Sequence, residues 1–304
     1  MNPFSSSSRI RHSLKLATAL VLLTSVGLLI SQAPALANSF ANQPKAAQTQ
    51  FIPNSTINSD ITSDTTWDTA GSPYEVTDNI SVHNGVTLTI DPGVEVIFDQ
   101  YAGLTVNGSL IAIGTATQPI TFTATSQNPG WWDGVSIAGA DAAHLNSGSS
   151  LDYVTINYAG GGLADLDLSY ASVNIAHSQF SNSYEDGIYG DTGGVANVSD
   201  SSFTNNQGYA ILFNDASVNP SLANLSASGN QQNGVAFGIG TLDGQHTWSY
   251  TGIPYFVQNN LVVASSGSLT VDPGVEVRFE QYAGLTANGP PCGALRVAGS
   301  AESD

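Results

Sequence analysis

The chain has 304 residues, of which only 10% are charged, and it carries a formal net charge of −18 from 24 acidic and six basic residues. So few Lys and Arg side chains exclude nucleic-acid binding through phosphate contacts, and they disfavour anionic polysaccharides unless cations bridge the two surfaces. The single cysteine excludes an internal disulfide, so the core alone must hold the fold together.

The N-terminus has the features of a secretory signal. Arg9, Arg11 and Lys15 precede an apolar run over residues 16–30, and residues 35–37 (Ala-Leu-Ala) offer the small side chains that signal peptidase requires. The run is shorter than the roughly 20 apolar residues that a membrane-spanning helix needs. We therefore predict a signal peptide over residues 1–37 and a secreted, extracellular or cell-surface location, with no transmembrane segment in the mature chain.

Residues 38–63 are rich in Asn, Gln, Ser, Thr and Ala, a composition that predicts a flexible polar leader. The mature chain keeps all the acidic residues but only Lys45, Arg278 and Arg296 as bases, so its formal charge is near −21. Calcium, neutral glycans and basic surfaces are compatible with this charge, which also keeps a secreted protein soluble.

A copied segment dominates the rest of the chain. Residues 67–108 recur at 248–289, exactly 181 positions later, with 24 of the 42 positions identical. In each copy two short apolar–polar alternations flank an Asp-Pro-Gly turn, which in the first copy is 91–93. Alternation with period two predicts strands with one buried face, and here the inward residues are Val86, Leu88, Ile90, Val94, Val96 and Phe98. The copying indicates a repeat architecture.

The middle of the chain repeats with a shorter period. Phe180 and Phe203 are 23 residues apart in similar surroundings, and a period in the low twenties fits one coil of a parallel β-helix. Equivalent residues then stack about 4.8 Å apart, so Phe180 should lie above Phe203 in the core. An amide ladder along one turn should contain Asn182, Asn205 and Asn230. We predict an all-β fold: a right-handed parallel β-helix of roughly ten coils over residues 64–304.

Several motifs carry a family resemblance. The repeat core at 88–98 is followed by Gly-Thr-Ala at 114–116, Pro-Ile-Thr-Phe-Thr at 119–123 and Trp-Asp-Gly-Val at 132–135. This series resembles the secreted and surface-bound right-handed parallel β-helix repeat proteins of bacteria, over roughly residues 65 to 300. The resemblance implies the fold but no single activity, because similar coils carry pectate lyases, polygalacturonases, adhesins and spacer modules.

The catalytic elements of those enzymes are absent from the sequence. Polygalacturonases use Asn-x-Asp, Asp-Asp, His-Gly and Arg-x-Lys elements, and this chain has no Asp-Asp, His-Gly or Arg-x-Lys. Pectate lyases need Arg or Lys to abstract a proton and hold uronate groups, and residues 46–277 contain neither. We therefore predict a non-catalytic, adhesin-like binding or structural module that meets glycans or other surface proteins. The alternative is a hydrolase or lyase acting on a neutral glycan through surface carboxylates.

Acidic residues supply the candidate site. Asp165 and Asp167 alternate with leucines, so on a strand both should point outward, and coil stacking should bring them near a second acidic group around Tyr189. Such a cluster could bind calcium, act as paired carboxylates on a glycoside, or form the solvated face of an acidic protein. No cofactor other than calcium is expected. The predicted binding residues are Asp165, Asp167, Glu185, Asp186, Tyr189 and Asp191.

The second copy departs from the first near the C-terminus. Four residues are inserted around 290–292 (Pro-Pro-Cys), and the sequence stops where the strand at 119–123 would recur. A last coil without a cap leaves apolar side chains and backbone groups uncovered, which favours end-to-end self-association. We expect greater exposure of Leu285, Leu295 and Val297 than of their counterparts Leu104, Leu110 and Ala112.

Overall fold

A computed structural model describes residues 53–288 and 294–298. These residues form 29 strands and no helix, so no apolar helix of membrane-spanning length occurs among them. The predicted signal peptide, residues 38–52 of the predicted leader and the insertion at 290–292 lie outside the described residues.

The strands wind through about ten coils, three to a coil after the first. Coils 1 to 4 comprise β1 (Ser55–Ile57), β2 (Thr65–Trp67), β3 (Tyr74–Val76), β4 (Asn79–Val82), β5 (Thr87–Ile90), β6 (Glu95–Phe98), β7 (Gly103–Val106), β8 (Ser109–Ile113), β9 (Ile120–Ala124), β10 (Gly134–Ala138) and β11 (Ser150–Asp152). Coils 5 to 7 comprise β12 (Val154–Asn157), β13 (Ala164–Ser169), β14 (Ser172–Ala176), β15 (Gln179–Ser181), β16 (Asp186–Asp191), β17 (Val195–Ser199), β18 (Ser202–Thr204), β19 (Tyr209–Asp215) and β20 (Leu222–Ala223). Coils 8 to 10 comprise β21 (Ser226–Ser228), β22 (Gln232–Leu242), β23 (Gln245–Trp248), β24 (Tyr255–Val257), β25 (Asn260–Val263), β26 (Ser268–Val271), β27 (Val277–Phe279), β28 (Gly284–Ala287) and β29 (Ala294–Val297).

Strands of successive coils pair in parallel and build three long sheets. Sheet 1 has the order β1-β3-β6-β9-β12-β15-β18-β21, sheet 2 the order β4-β7-β10-β13-β16-β19-β22-β24-β27, and sheet 3 the order β2-β5-β8-β11-β14-β17-β20. A short sheet of β23, β26 and β29 completes the last coils, and β25 and β28 pair beside β22. The predicted all-β parallel solenoid is therefore confirmed.

The core is a column of apolar side chains stacked from coil to coil. Phe180 and Phe203 are fully buried, with ring centroids 5.3 Å apart and planes 11° from parallel, as the 23-residue period predicted. Trp132 stacks on Phe98 at 3.9 Å, and its indole Nε1 donates to the carbonyl of Asn157 at 2.9 Å. Because that buried N–H has a partner, the large ring adds apolar contact without leaving a polar group unsatisfied. Trp132 is a core residue.

Left-handed residues redirect the chain at the coil corners. At the corner from sheet 3 to sheet 1, Tyr153, His177, Asp200 and Asn224 occupy equivalent positions with φ of 49°, 45°, 50° and 50°. Asn, Asp and His are enriched in this region, whereas Tyr adopts it less often. The rings of Tyr153 and His177 stack at 4.4 Å, so this corner carries an ordered aromatic pair on the outside of the coils.

A buried amide ladder lies at the corner from sheet 1 to sheet 2, one position away from the predicted one. Asn206 Oδ1 accepts from the N–H of Ser183 at 2.9 Å, and Asn230 Oδ1 accepts from the N–H of Asn206 at 2.9 Å. Asn182 and Asn205 instead occupy the left-handed position, with φ of 60° and 58°. The prediction was wrong for those two residues because the inward position follows the left-handed residue.

The two ends of the solenoid can be compared with the sequence predictions. β1 pairs with β3, so the first coil begins within residues 38–63, which the sequence assigned to a leader. At the other end, Leu295 is 41% and Val297 71% exposed and Leu285 is half-buried, whereas Leu104, Leu110 and Ala112 are at most 1% exposed. The expected difference in exposure between the two copies is therefore confirmed.

Candidate functional site

Asp165 does not point outward as the alternation with leucines predicted. Its side chain is completely buried at the corner where β13 begins. The N–H of Ala159 donates to Oδ1 at 3.3 Å, while Oδ2 has no hydrogen-bond partner. Burial raises the pKa of this carboxyl well above its usual value, although hydrogen bonds from backbone N–H groups oppose the shift. Alternation fails here because the first three residues of β13, next to the coil corner, are all buried.

Asp186 is also internal, on the next coil. It is 7% exposed, and Oδ1 accepts from the N–H of Tyr209 at 2.6 Å. Burial raises the pKa of Asp186 to about 7, partly opposed by the Tyr209 N–H and assisted by the charge of Glu185. Glu185 itself is exposed at the corner, and partial burial raises the pKa of its carboxyl.

The other three predicted residues share the outer face of sheet 2. Asp167 and Tyr189 are register partners on β13 and β16, and Asp191 lies opposite Ser169. Asp191 Oδ1 accepts from the N–H of Thr192 and from Asn214 Nδ2. The predicted acidic cluster is therefore divided between the interior and the surface. No group of three or more His, Cys, Asp or Glu side chains in the described ranges is arranged to hold a metal ion.

A cavity of about 270 Å³ opens on the same face of sheet 2, across coils 2 to 5. We call it the acidic cleft, because the carboxylates of Asp133 and Asp167 both line it, together with the amide of Asn79 and the hydroxyls of Thr105 and Ser136. The cleft unites one predicted residue, Asp167, with a carboxylate that the sequence analysis missed. Asp133 stands between Trp132 and Gly134, in a motif that had indicated only a strand.

Glycines shape this cleft. A Cβ on Gly103 would lie 2.9 Å from Asn79 Oδ1 and 3.1 Å from Asp133 Cβ, so only glycine leaves these side chains in place. The N–H groups of Gly161 and Gly162 donate to the carbonyls of Trp132 and Asp133 at 3.0 and 3.2 Å, which fixes the loop forming one wall. Burial raises the pKa of Asp133, although a hydrogen bond from the Asn79 side chain acts in the opposite direction.

Aromatic side chains stand at the corner beside the cleft. The N–H of Tyr101 donates to the carbonyl of Trp131 at 2.9 Å, and Trp131 Nε1 donates to Thr125 Oγ1 at 2.9 Å. Tyr184 covers Gly130, where an added Cβ would approach Tyr184 Cβ to 2.9 Å. Tyr101 and Tyr184 are 66% and 53% exposed. Exposed rings next to polar side chains form a surface on which sugar rings can stack.

A larger cavity, of about 400 Å³, lies elsewhere, between turns at the corner of sheets 2 and 3. Turn backbone, Asn and Ser side chains and Leu145 line it, and His144 is its one ionisable lining residue among those described. His144 Nδ1 is 2.8 Å from Asp141 Oδ1, in an exposed pair. The acidic cleft is smaller but is lined by two carboxylates, so we treat it as the candidate site.

Known proteins match part of this chain. The family model described as "Pectate-lyase like beta helix domain" matches residues 59–185, a range that includes every residue lining the acidic cleft. The fold is a pectate-lyase-like β-helix. A 55-residue stretch of the chain is 46% identical to "Protein bark beetle" of Drosophila melanogaster. That stretch covers 18% of this chain and 2% of the fly protein, so the chain spans only a small fraction of that relative. No solved structure matches the chain at a significant level.

Proposed function

We propose that this protein is an exported, non-catalytic β-helix module with a binding role outside the cell or at its surface, and that the acidic cleft binds neutral glycans. The observation that carries the proposal is the cleft itself, in which carboxylate, amide and hydroxyl groups converge on one rigid sheet face beside exposed aromatic rings. Ligand sites usually combine such a concave surface with a few convergent polar groups.

The polarity of the cleft selects the class of ligand. Asp133 and Asp167 accept hydrogen bonds from sugar hydroxyls, whereas Asn79 both donates and accepts. Charged acceptors make these bonds stronger than neutral ones. A uronate or sulfate group would meet two carboxylates and no Lys or Arg, because residues 53–277 of the described chain contain neither residue. Neutral sugars avoid this repulsion.

One observation favours a second function, hydrolysis of a neutral glycan. Burial raises the pKa of Asp133, the direction that a general acid requires. Asp167 on β13 pairs with Ser136 of β10, and Asp133 directly precedes β10, so the two carboxylates line one cleft from neighbouring coils. Glycosidases act through two carboxyl groups that flank the glycosidic bond.

Retention and turnover distinguish the two functions. The mature protein is passed over immobilised neutral polysaccharides, namely cellulose, xylan, laminarin and mannan, and reducing-sugar release is measured on the same panel. We expect retention without release. Asp133→Asn and Asp167→Asn should each weaken retention about tenfold, equivalent to about 1.4 kcal/mol. Asp191→Asn, on the same face but outside the cleft, is the matched control and should bind like the wild type.

Release of reducing sugar that disappears in Asp133→Asn would replace the binding role by the hydrolytic one. Export is tested separately by expressing the full chain in a bacterium and sequencing the N-terminus of the protein in the medium. We expect cleavage after residue 37. Accumulation of the uncleaved chain inside the cell would contradict export without affecting the binding experiment.

A further inference from the structure

A second concave surface lies on a different face, the outer side of sheet 3. A groove of about 300 Å³ crosses the strands from β8 to β20. We call it the polar groove, and its lining residues are Ile113, Ser150, Leu151, Asp152, Asn174, Ile175, Ala176, Asn197, Val198, Ser199, Ser221 and Ala223. Strand registers place equivalent residues in line along the coils, so the groove runs parallel to the solenoid axis. Five coils at about 4.8 Å spacing give it a length of about 19 Å.

Two rows of outward side chains form this groove. In one row, Asn197 Nδ2 donates to Asn174 Oδ1 at 3.2 Å, and Asn197 Oδ1 accepts from the N–H of Ser221 at 3.0 Å. These bonds fix the amide planes along the groove. The other row contains Ala176 and Ser199, whose small side chains leave the groove open. Amides and hydroxyls both donate and accept hydrogen bonds, so a regular series of neutral polar groups is presented along the axis.

The carboxylate of Asp152 is the one charged group lining the polar groove. Its Oδ1 lies 2.9 Å from Nδ1 of His177, and the imidazole stacks on Tyr153 with planes 5° apart. This stack exists because both residues occupy the left-handed corner position described above. The pair therefore positions the carboxylate at the groove edge and places two aromatic rings beside it.

We propose that the polar groove is a second ligand site and that it binds a linear, uncharged polyhydroxyl chain, a neutral glycan, laid along the solenoid axis. An extended peptide adding to a sheet requires free backbone groups at a strand edge. The groove instead crosses the faces of β11, β14 and β17, which pair with neighbours on both sides. Only side chains are therefore offered to the ligand.

The charge of this face excludes anionic partners. No Lys or Arg lines the groove, so anionic glycans and lipid headgroups find no counter-charge, and Asp152 adds repulsion. Ile113, 39% exposed, contributes one apolar contact at the end of the groove. A neutral chain with many hydroxyls can satisfy amide, hydroxyl and carboxylate groups together. With a site on sheet 2 and another on sheet 3, one molecule would bridge two glycan chains.

Titration calorimetry with cellohexaose, xylohexaose, laminarihexaose and mannohexaose tests the proposal on the full mature chain. Ala176→Trp fills the polar groove, Ser136→Trp fills the acidic cleft, and Thr89→Trp places the same ring on sheet 3 outside the groove. We expect at least one hexasaccharide whose affinity falls about tenfold or more in Ala176→Trp only. Asn174→Ala should weaken the same ligand while removing no backbone partner. Equal urea midpoints would establish that all variants are folded.

The outcomes separate this site from the proposed function. If every ligand that binds is lost in Ser136→Trp and unaffected by Ala176→Trp, the polar groove is not a site and the cleft remains one. If every ligand that binds is lost in Ala176→Trp and none is weakened by Ser136→Trp, the groove is supported and the role of the cleft is overturned. Failure of the wild type to bind any of the four sugars overturns the groove proposal for neutral glycans.

Discussion

Replacing Asp186 with Asn should change how the stability of the protein depends on pH. In the folded chain the pKa of Asp186 is raised to about 7 by burial, from an ordinary value of 3.8. The folded state therefore holds this proton more tightly than the unfolded state. Between about pH 4 and about pH 7 unfolding releases a proton, so stability falls as pH rises through this window. Asparagine carries no titrating proton, and its Oδ1 can still accept from the N–H of Tyr209.

The magnitude follows from the two pKa values. A shift of about 3 units corresponds to about 4 kcal/mol, and this needs little discount for solvent because Asp186 is 7% exposed. The free energy of unfolding of the wild type should thus lose about 4 kcal/mol from this residue between pH 3.5 and pH 8. Asp186→Asn should lack that loss. Asp165, whose pKa burial also raises, leaves a residual slope of the same sign in the variant.

Urea unfolding followed by tryptophan fluorescence measures the effect at half-unit steps from pH 3.5 to pH 8. Near pH 3.5, where Asp186 is protonated in the folded and unfolded wild type, the two proteins should have similar midpoints. At pH 8 the variant should be the more stable. The reasoning is refuted if the difference between variant and wild type stays constant across the range, or if the wild type gains on the variant as pH rises.

Three further predictions concern the core, the amide ladder and the exposed apolar side chains of β29. Phe180→Ala should cost about 3–5 kcal/mol in urea unfolding, because it removes a fully buried ring from the stack on Phe203; a loss under 1 kcal/mol would mean that the core collapses onto the site. Asn206→Ala should cost about 3 kcal/mol, because the Ser183 N–H and Phe180 carbonyl lose their partner, whereas Asn205→Gly, exposed at φ 58°, should cost far less. In sedimentation velocity the protein should gain mass with concentration through the exposed apolar side chains of β29, and Leu295→Lys should suppress this gain; a concentration-independent monomer would contradict association through β29.

The sequence predicted those features that depend on period alone. The spacing of Phe180 and Phe203 was sufficient to place both rings in one column, because every coil must return to the same position in the core. The alternation of Val94, Val96 and Phe98 was sufficient to assign their buried face for the same reason. Phe180, Phe203 and Val96 lie inside strands, where successive side chains point to opposite faces.

The orientation of residues at the coil corners could not be predicted in this way. Alternation predicted that Asp165 points outward, but at the start of β13 it is buried and accepts a hydrogen bond from the N–H of Ala159. Asp133 was missed because its motif described packing, and the Asp152–His177 pair because the two residues are 25 apart in sequence. Extending the period backward from Phe180 to Ile156, its register partner, would have aligned these corners and indicated the second pair.

The 11-residue strand β22 has a consequence for the whole repeat. Its first half carries β24 and its second half carries β25. β24 is the counterpart of β3, yet β3 belongs to sheet 1 and β24 continues sheet 2. The copied module therefore restarts out of phase with the sheets of the first copy. The same local contact therefore occurs at two different places in the solenoid. Asn79 lies beside Gly103 in sheet 2, and Asn260 lies beside Gly284 in the β25–β28 pair. Duplication with a phase step therefore places similar local surfaces in different sheets, so that copies of one module can contact different neighbours.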